Sequence, residues 1–155
     1  MVSPKQQLLD RQFMQQALEL AELAGQEGEV PVGALVVYDG SVLGRGYNCC
    51  VGDHDPFGHA EVVALKAAAK ARGSYRLDGA TLYVTLEPCL MCCGALLQAR
   101  IARLVFGATE PRTGAVVSIH ESLRLAGVEP HVAISGGVLA EKSSQLLSRF
   151  FEVRR

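Results

Sequence analysis

The sequence predicts an α/β fold in which helices cover a mixed sheet, and three observations support this. Short β-rich runs alternate with helical runs along the chain, only a tight turn at residues 39–41 separates the first two strands, and no repeat or low-complexity segment interrupts the order. A hairpin followed by strands that alternate with helices requires both antiparallel and parallel pairing. The 155 residues match the length of one domain, so we expect a single domain over residues 1–155.

The helices are predicted from apolar residues that recur three and four positions apart, and from the glycines that stop them. They are expected over residues 6–24, 60–71, 90–99, about 119–125 and 138–151. Strands are expected where short runs rich in β-branched and aromatic residues lie between turn signals, over residues 33–38, 42–47, 81–85, 103–106 and 132–134. Residues 48–58, rich in glycine and aspartate, are predicted to form a loop.

Composition and charge limit the function classes. Fifteen Lys and Arg against sixteen Asp and Glu give a net charge of −1, which argues against a uniformly basic nucleic-acid binder and leaves a local basic patch open. No apolar stretch approaches ~18 residues, so no membrane span is expected. The first residues lack the apolar core of a secretory signal.

The five cysteines lie in two tight groups, Cys49-Cys50 and Cys89 with Cys92-Cys93. An odd number of clustered cysteines fits a reducing compartment and metal ligation better than a disulfide framework. We therefore expect a cytoplasmic protein.

Two short motifs carry the candidate chemistry, His59-Ala60-Glu61 and Pro88-Cys89-Leu90-Met91-Cys92. Zinc prefers nitrogen and sulfur donors, and a catalytic zinc site keeps one position open for water. Cys89 and Cys92 lie in the first turn of a predicted helix, whose N–H groups and dipole favour thiolates, and His59 opens the preceding helix. These three residues predict a zinc site, and Glu61 is placed to take a proton from water and pass it to a leaving group.

The same residues have structural interpretations as well. His59 alone could be a hydrogen-bonded structural histidine, and the Cys-x-x-Cys pair alone could be a redox pair. The pair could also be half of a closed structural zinc site, whose fourth donor would come from Cys49, Cys50, His54 or Cys93. Cys93 could compete with Cys92 as a ligand, although a buried apolar role is favoured for it. Cys49 and Cys50 are expected not to bind metal.

Two further groups of charged residues compete with these assignments. Asp53, His54 and Asp55 resemble a second metal cluster, although turn and capping roles are favoured for the aspartates. Glu87 could compete with Glu61 as the base, although loop anchoring is favoured for it.

Taken together, the motifs resemble those of bacterial tRNA-specific adenosine deaminases. His-x-Glu with Pro-Cys-x-x-Cys is the signature of zinc nucleobase deaminases. The likeness extends over most of the chain, at residues 29–34, 47–48, 54–56, 59–61, 75–77, 80–89, 105–108, 113–114 and 150–151.

The resemblance implies a cytidine-deaminase-like three-layer α/β/α fold with a five-stranded mixed sheet, one zinc ion per subunit, and a homodimer. The implied activity is hydrolytic deamination of the wobble adenosine to inosine in the anticodon loop of an arginine tRNA with the anticodon ACG. Asn48 would hydrogen-bond the base, Ala60 would offer main-chain contacts to it, and Val30 would form part of the pocket wall. Glu110 stands where the family often carries aspartate and is a further candidate for substrate contact.

The C-terminal segment, residues 149–155, combines arginines with two aromatic rings. Bases stacked on aromatic rings gain roughly 1–3 kcal/mol each, and arginines pair with phosphates, so Phe150, Phe151 and Arg154 are predicted RNA contacts. Alternatively, the two rings complete the last helix against the core and Arg154-Arg155 is a frayed end. Arg112 is a second candidate for RNA contact.

Three rival functions remain open. A deaminase of free bases or nucleosides would share the zinc motif and need no basic aromatic tail. A riboflavin-pathway deaminase is disfavoured because its second cysteine lies further along the chain than Cys92 does here. A zinc-containing RNA-binding subunit without activity is disfavoured because it would not need Glu61.

Overall fold

The computed structural model describes residues 2–125, 127–128 and 131–154. Within these residues the helices and strands follow one another nearly as predicted. Their order is α1 (Pro4–Gln26), β1 (Gly33–Tyr38), β2 (Ser41–Tyr47), α2 (Ala60–Arg72), β3 (Thr81–Leu86), α3 (Leu90–Gln98), β4 (Arg103–Ala108), a 3₁₀ turn (Ser122–Arg124), β5 (Ala133–Ser135) and α4 (Ala140–Val153).

The five strands form one mixed sheet in the order β2-β1-β3-β4-β5. Strand β1 pairs antiparallel with β2 and β3, whereas β3–β4 and β4–β5 are parallel pairs. This confirms the predicted hairpin and mixed sheet. Because β3 and β4 are parallel, the segments that leave their carboxyl ends, residues 87–89 and 109–118, begin side by side at one edge of the sheet.

Helices cover both faces of the sheet, which confirms the three-layer α/β/α architecture. Successive residues of β1 point to opposite faces: Ala34 and Val36 pack in the cluster formed with α2 and α3, while Leu35 packs against α1. A Cβ at Gly44 or Gly46 of β2 would lie 2.4–2.6 Å from main-chain atoms of α2. Glycine at these positions therefore lets α2 pack directly on the edge strand.

Residues 119–125 differ from the prediction, since only the 3₁₀ turn Ser122–Arg124 forms where a helix was expected. The reason is tertiary. The N–H of Ile119 donates to Gly114 O and the N–H of Ser122 donates to Ala115 O, each at 2.9 Å, so these donors bond five and seven residues back instead of the four of an α-helix. The last strand begins one residue later than predicted, and Val132 before it is buried in the core.

In the described part of the chain, no helix is both long and apolar enough to span a bilayer. Arg155, which belongs to the predicted RNA-binding tail, lies outside the described residues.

Candidate active site

Two helix N-termini bring the predicted zinc ligands together. His59 is the N-cap of α2 and Cys89 is the N-cap of α3, each with extended backbone and no side-chain capping bond, so both side chains are left for another partner. Cys92 follows in the first turn of α3 and is fully buried. The Nδ1 atom of His59 lies 3.6 Å from the Cys89 sulfur and 3.4 Å from the Cys92 sulfur.

These spacings fit zinc. Bond lengths of about 2.1 Å to nitrogen and 2.3 Å to sulfur, at a tetrahedral angle, place the two donor atoms about 3.6 Å apart. Among the described residues, His59, Cys89 and Cys92 are the one group of three or more His, Cys, Asp or Glu side chains whose donor atoms all lie within 4.8 Å of one another. Three protein donors leave a fourth tetrahedral position for water or substrate, which is the arrangement of a catalytic zinc site.

The alternative ligands do not join this cluster. All five cysteines are free thiols, and Cys93 is fully buried in the apolar core, as favoured from the sequence. Burial raises the pKa of the Cys93 thiol to about 12, and burial with a hydrogen bond to Asp53 raises that of Cys49 to about 11, so both thiols stay protonated at neutral pH. Asp55 accepts the N–H of Phe57 at 2.9 Å, which is the predicted turn role.

The thiols of the cluster share protons unequally. The hydrogen bond with Cys92 and the neighbouring His59 outweigh burial and lower the pKa of Cys89 to about 4. The same hydrogen bond, together with burial, raises the pKa of Cys92. The hydrogen bond to Cys89 raises the pKa of His59 against the effect of burial. Even without a metal, the site therefore stabilises one thiolate, the form in which cysteine binds zinc.

Glu61 lies in the first turn of α2 with a side chain that is almost completely buried. Burial raises its pKa, and the opposing effects of a main-chain N–H, of His59 and of a hydrogen bond with Cys92 are smaller. In the part of the chain that the structure describes, no lysine or arginine forms an ion pair with it. A carboxyl group with a raised pKa beside a metal site is suited to accept and return a proton near neutral pH.

Asn48 links the predicted base-binding residues to the zinc-binding helix. Its Oδ1 accepts the main-chain N–H of the fully buried Ala60 at 2.8 Å, and Asn48 N–H donates to Val32 O. The NH₂ group of Asn48 is a donor, and Oδ1 has a second lone pair besides the one that accepts the Ala60 N–H. The predicted main-chain contact from the Ala60 N–H to a base competes with the bond to Oδ1. Val30 is half-buried against the same core.

Glu29 is a residue that sequence reasoning did not single out beyond its place in the motif. Its buried carboxylate accepts the N–H groups of Val51 and Gly52 at 3.0 and 2.7 Å, and so anchors the loop that follows Asn48. The partners lie 22 and 23 residues away, and the sequence carries no local signal for such a pairing.

Glu87 anchors the loop on the other side of the site, which confirms the favoured interpretation of this residue. Its buried carboxylate accepts main-chain N–H groups of residues 110 and 116–118. Hydrogen bonds from Ser118 and these N–H groups outweigh the effect of burial and lower its pKa. Glu110, half-buried in this loop, accepts the N–H of the exposed Arg112 at 2.9 Å.

The predicted RNA-binding tail forms the end of α4. The rings of Phe150 and Phe151 meet edge to face with centroids 5.3 Å apart, and the guanidinium of Arg154 lies 3.6 Å from the centroid of Phe150. Phe150 is half-buried, whereas Phe151 is 48% exposed. A cleft between this segment and the end of α1 also includes Pro31, so the tail lies close to the segment that carries Val30.

Comparison with known proteins agrees with this site. The family model for the cytidine and deoxycytidylate deaminase zinc-binding region matches residues 8–108. The tRNA-specific adenosine deaminase of Haemophilus influenzae is 48% identical over 147 residues, which are 94% of this chain and 85% of that protein. The tRNA-specific adenosine deaminase of Bacillus subtilis is 38% identical over 146 residues, 94% of this chain and 91% of that protein.

A solved structure from a study of A-to-I editing by tRNA:A34 deaminases at the wobble position matches the fold with a TM-score of 0.85 and 40% identity, covering 88% of this chain and 99% of that chain. The zinc-binding region of the family model includes the three residues whose donor atoms lie together in this structure, His59, Cys89 and Cys92. The chain therefore belongs to the tRNA-specific adenosine deaminases, enzymes that carry the cytidine and deoxycytidylate deaminase zinc-binding region.

Proposed function

We propose that this chain, as a single domain, deaminates the wobble adenosine of an arginine tRNA with the anticodon ACG to inosine. The observation that carries the proposal is the buried Glu61 beside a three-ligand zinc site, in a chain that is 48% identical to a tRNA-specific adenosine deaminase. The five free thiols are consistent with work in the cytoplasm, where the zinc ligands stay reduced.

When bound by His59, Cys89 and Cys92, zinc supplies a Lewis acid that lowers the pKa of water toward about 7. Glu61 accepts the two protons of the attacking water one after the other, and delivers the first to a purine ring nitrogen and the second to the departing amine. Its burial keeps bulk water away and holds its pKa raised, so that both directions of transfer are accessible near neutral pH. Asn48, with its NH₂ group free to donate, orients the base by hydrogen bonding to a ring nitrogen.

The adenosine must leave the stack of the anticodon loop to reach the zinc site, since C6 is not accessible within stacked bases. Phe151 offers an exposed aromatic surface on which a neighbouring base stacks. Arg154, over the adjacent Phe150 ring, and Arg149, in the same cleft as Phe150, supply positive charge. Because these arginines lie together, the protein offers RNA a local positive surface although its net charge is −1. Glu110 and Arg112 extend the contact surface from the loop after β4.

The test is deamination of unmodified arginine tRNA with the anticodon ACG by the zinc-loaded protein, measured as inosine at the wobble position after nuclease digestion. The matched control is the same tRNA with the anticodon GCG, which has no wobble adenosine and should gain no inosine. Free adenosine and free guanine should be deaminated far more slowly than the tRNA.

The rival functions give different results in this assay. A deaminase of free bases or nucleosides would release ammonia from the free compounds and leave the tRNA unchanged. An RNA-binding subunit without activity would bind zinc and tRNA and form no inosine. Either result would refute the proposed function.

We further propose that two copies of the chain form a homodimer. Exposed apolar side chains occur in the loop before His59, next to Cys89 and in the segment after β4: Val51, Phe57, Leu90, Val117 and Ile119, each at least 50% exposed. Burying them between two copies would remove apolar surface from water. Leu90→Asp should shift the mass in analytical ultracentrifugation from dimer to monomer. Leu8→Asp, on an exposed side chain of α1 that is 60% exposed against 61% for Leu90, should not.

A further inference from the structure

Glu87 is a buried carboxylate whose partners are main-chain N–H groups and one hydroxyl rather than a cation. It is 2% exposed, and its two oxygens accept the N–H groups of Glu110 at 2.9 Å, Val116 at 3.1 Å, Val117 at 2.8 Å and Ser118 at 2.9 Å. The hydroxyl of Ser118 donates to it as well. A carboxylate that accepts this many bonds fixes the path of the donating backbone.

The segment 109–118 is wrapped tightly around this carboxylate. A Cβ at Gly114 would lie 2.4 Å from Cδ of Glu87 and 2.5 Å from Glu110 O, so only glycine fits between the two. The N–H of Gly114 closes the turn on Glu110 O at 2.9 Å. The conformation of this segment is therefore determined by Glu87, which lies between β3 and α3. The segment itself contributes Gly114, which leaves room for the Glu87 side chain.

Glu87 also fixes where the segment lies relative to the zinc site. It stands two residues before Cys89, and its N–H donates to Ala108 O at 2.8 Å, at the end of the parallel neighbour β4. The N–H of Ala115 donates to Pro88 O at 2.9 Å, directly before the zinc ligand. The segment is thus hydrogen-bonded to Glu87 through Glu110 and to Pro88 through Ala115. Arg112 lies between these two hydrogen-bonded residues.

We propose that Glu87 is a positioning residue for RNA recognition: its carboxylate holds the segment 109–118 against the zinc-site turn, in the conformation that presents Glu110 and Arg112 to the substrate. This assignment rests on the proposed function, since it concerns how that function selects a structured RNA. Glu87 has no part in the proton transfers, which belong to Glu61.

The first test measures the segment without any substrate. Arg112 is exposed and is the one trypsin site within residues 109–118, so native-state cleavage after Arg112 in the zinc-loaded protein reports how often the segment opens. Glu87→Gln keeps the shape but replaces an acceptor oxygen by an NH₂ group that faces N–H donors. Cleavage should become about tenfold faster or more, the factor that follows from losing one hydrogen bond to a charged acceptor.

Two variants calibrate this measurement. Ser118→Ala removes a single donor and should give a smaller increase in cleavage, which keeps the test informative if Glu87→Gln folds poorly. Glu121→Gln makes the same chemical change on an exposed side chain and should cleave like wild type. Equal cleavage after Arg112 in the Glu87→Gln, Ser118→Ala and wild-type proteins would overturn the proposal.

The second test is steady-state kinetics with the tRNA. Glu87→Gln should raise KM about tenfold while kcat at saturating tRNA stays within about threefold, because the zinc site and Glu61 remain in place. Zinc content should stay at the wild-type value. A purely structural role would lower the melting temperature and leave KM unchanged, and loss of zinc would mean that Glu87 acts through Cys89; both results overturn the proposal.

The two tests separate this proposal from the proposed function. If the wild-type protein forms no inosine in tRNA, the function fails, and the cleavage rates alone still decide whether Glu87 holds the segment. If tRNA is deaminated with unchanged KM and unchanged cleavage in Glu87→Gln, the function stands and the role of Glu87 is refuted.

Discussion

Two regions of this molecule bury carboxylates in opposite ways. On the face covered by α1, Asp10 is 2% exposed and forms a bidentate pair with Arg103, with N–O distances of 2.8 and 2.7 Å. The hydroxyl of Tyr83 donates to the same carboxylate at 2.7 Å. At the carboxyl edge of the sheet, Glu61 is buried just as deeply without a cationic side chain forming an ion pair with it in the described residues.

The difference is visible in the protonation of the two groups. For Asp10, hydrogen bonds from Arg103, Tyr83 and Gln6 outweigh burial and lower the pKa. For Glu61, burial dominates and raises the pKa. A paired carboxylate is a fixed charge that anchors a helix to the sheet, whereas an unpaired one keeps a proton affinity that chemistry can use. The molecule thus places its stabilising charge away from its reactive one.

The largest effect is expected on kcat, from substitution of the unpaired carboxylate of Glu61. Glu61→Gln should reduce kcat by at least about 10²–10⁴-fold, because the amide cannot accept the proton of the attacking water. Zinc content, measured by atomic absorption, should remain at the wild-type value since no ligand changes. Inosine formation at a rate near wild type would remove Glu61 from the mechanism.

The next largest effect is expected on the free energy of unfolding, from substitution of the paired carboxylate of Asp10. Asp10→Asn leaves Arg103 buried beside a neutral amide and should lower the free energy of unfolding by about 3–5 kcal/mol, as breaking a buried pair does. Chemical denaturation measures it. The matched control is Asp78→Asn, since the pair of Asp78 with Arg76 is about half exposed and should contribute at most about 1 kcal/mol. Folded Asp10→Asn protein should keep its kcat.

The pH dependence of the free energy of unfolding tests the role of Asp10 as a stabilising charge. Because the pKa of Asp10 is lowered in the folded chain from its ordinary 3.8, its ionised form contributes stability above about pH 3.8, and this contribution is lost as the pH falls through the lower folded value. The free energy of unfolding of the wild type should therefore fall more steeply below pH 4 than that of Asp10→Asn. Parallel curves would show that Asp10 titrates alike in the folded and unfolded chain.

The smallest effect is expected on the KM for tRNA, from removal of the C-terminal residues after Arg149. Truncation after Arg149 removes both rings and Arg154, and should raise the KM for tRNA about tenfold, the loss expected from one stacked base. The kcat at saturating tRNA should change little because residues 150–154 contact no zinc ligand or Glu61 in any observed hydrogen bond. Phe150→Ala and Phe151→Ala separate the half-buried ring from the exposed one. Unchanged KM would support the alternative that the rings only complete α4.

Much of the fold follows from local patterns. The helix α2 and its metal-binding N-terminus are readable because alanines repeat at helical spacing after His59 and a glycine at position 73 stops the helix. The hairpin and the strands are readable from short β-rich runs between turn residues. The prediction was wrong in extent at residues 119–125. There the N–H groups of Ile119 and Ser122 donate to Gly114 O and Ala115 O, partners that helical spacing does not indicate.

The sequence by itself indicated that Cys89 and Cys92 can share one ion, because a spacing of three residues at a helix N-terminus presents both sulfurs to it. His59 and Glu61 were predicted from the motif that accompanies these cysteines, and only the tertiary structure brings His59 to them across 30 and 33 residues. Only the tertiary structure decided which carboxylates are paired, which hold loops and which stay reactive. Asp10 meets Arg103 across 93 residues and Glu87 meets Ser118 across 31. Such partners depend on strand order and on the packing of helices against the sheet, and local residue spacing does not encode them.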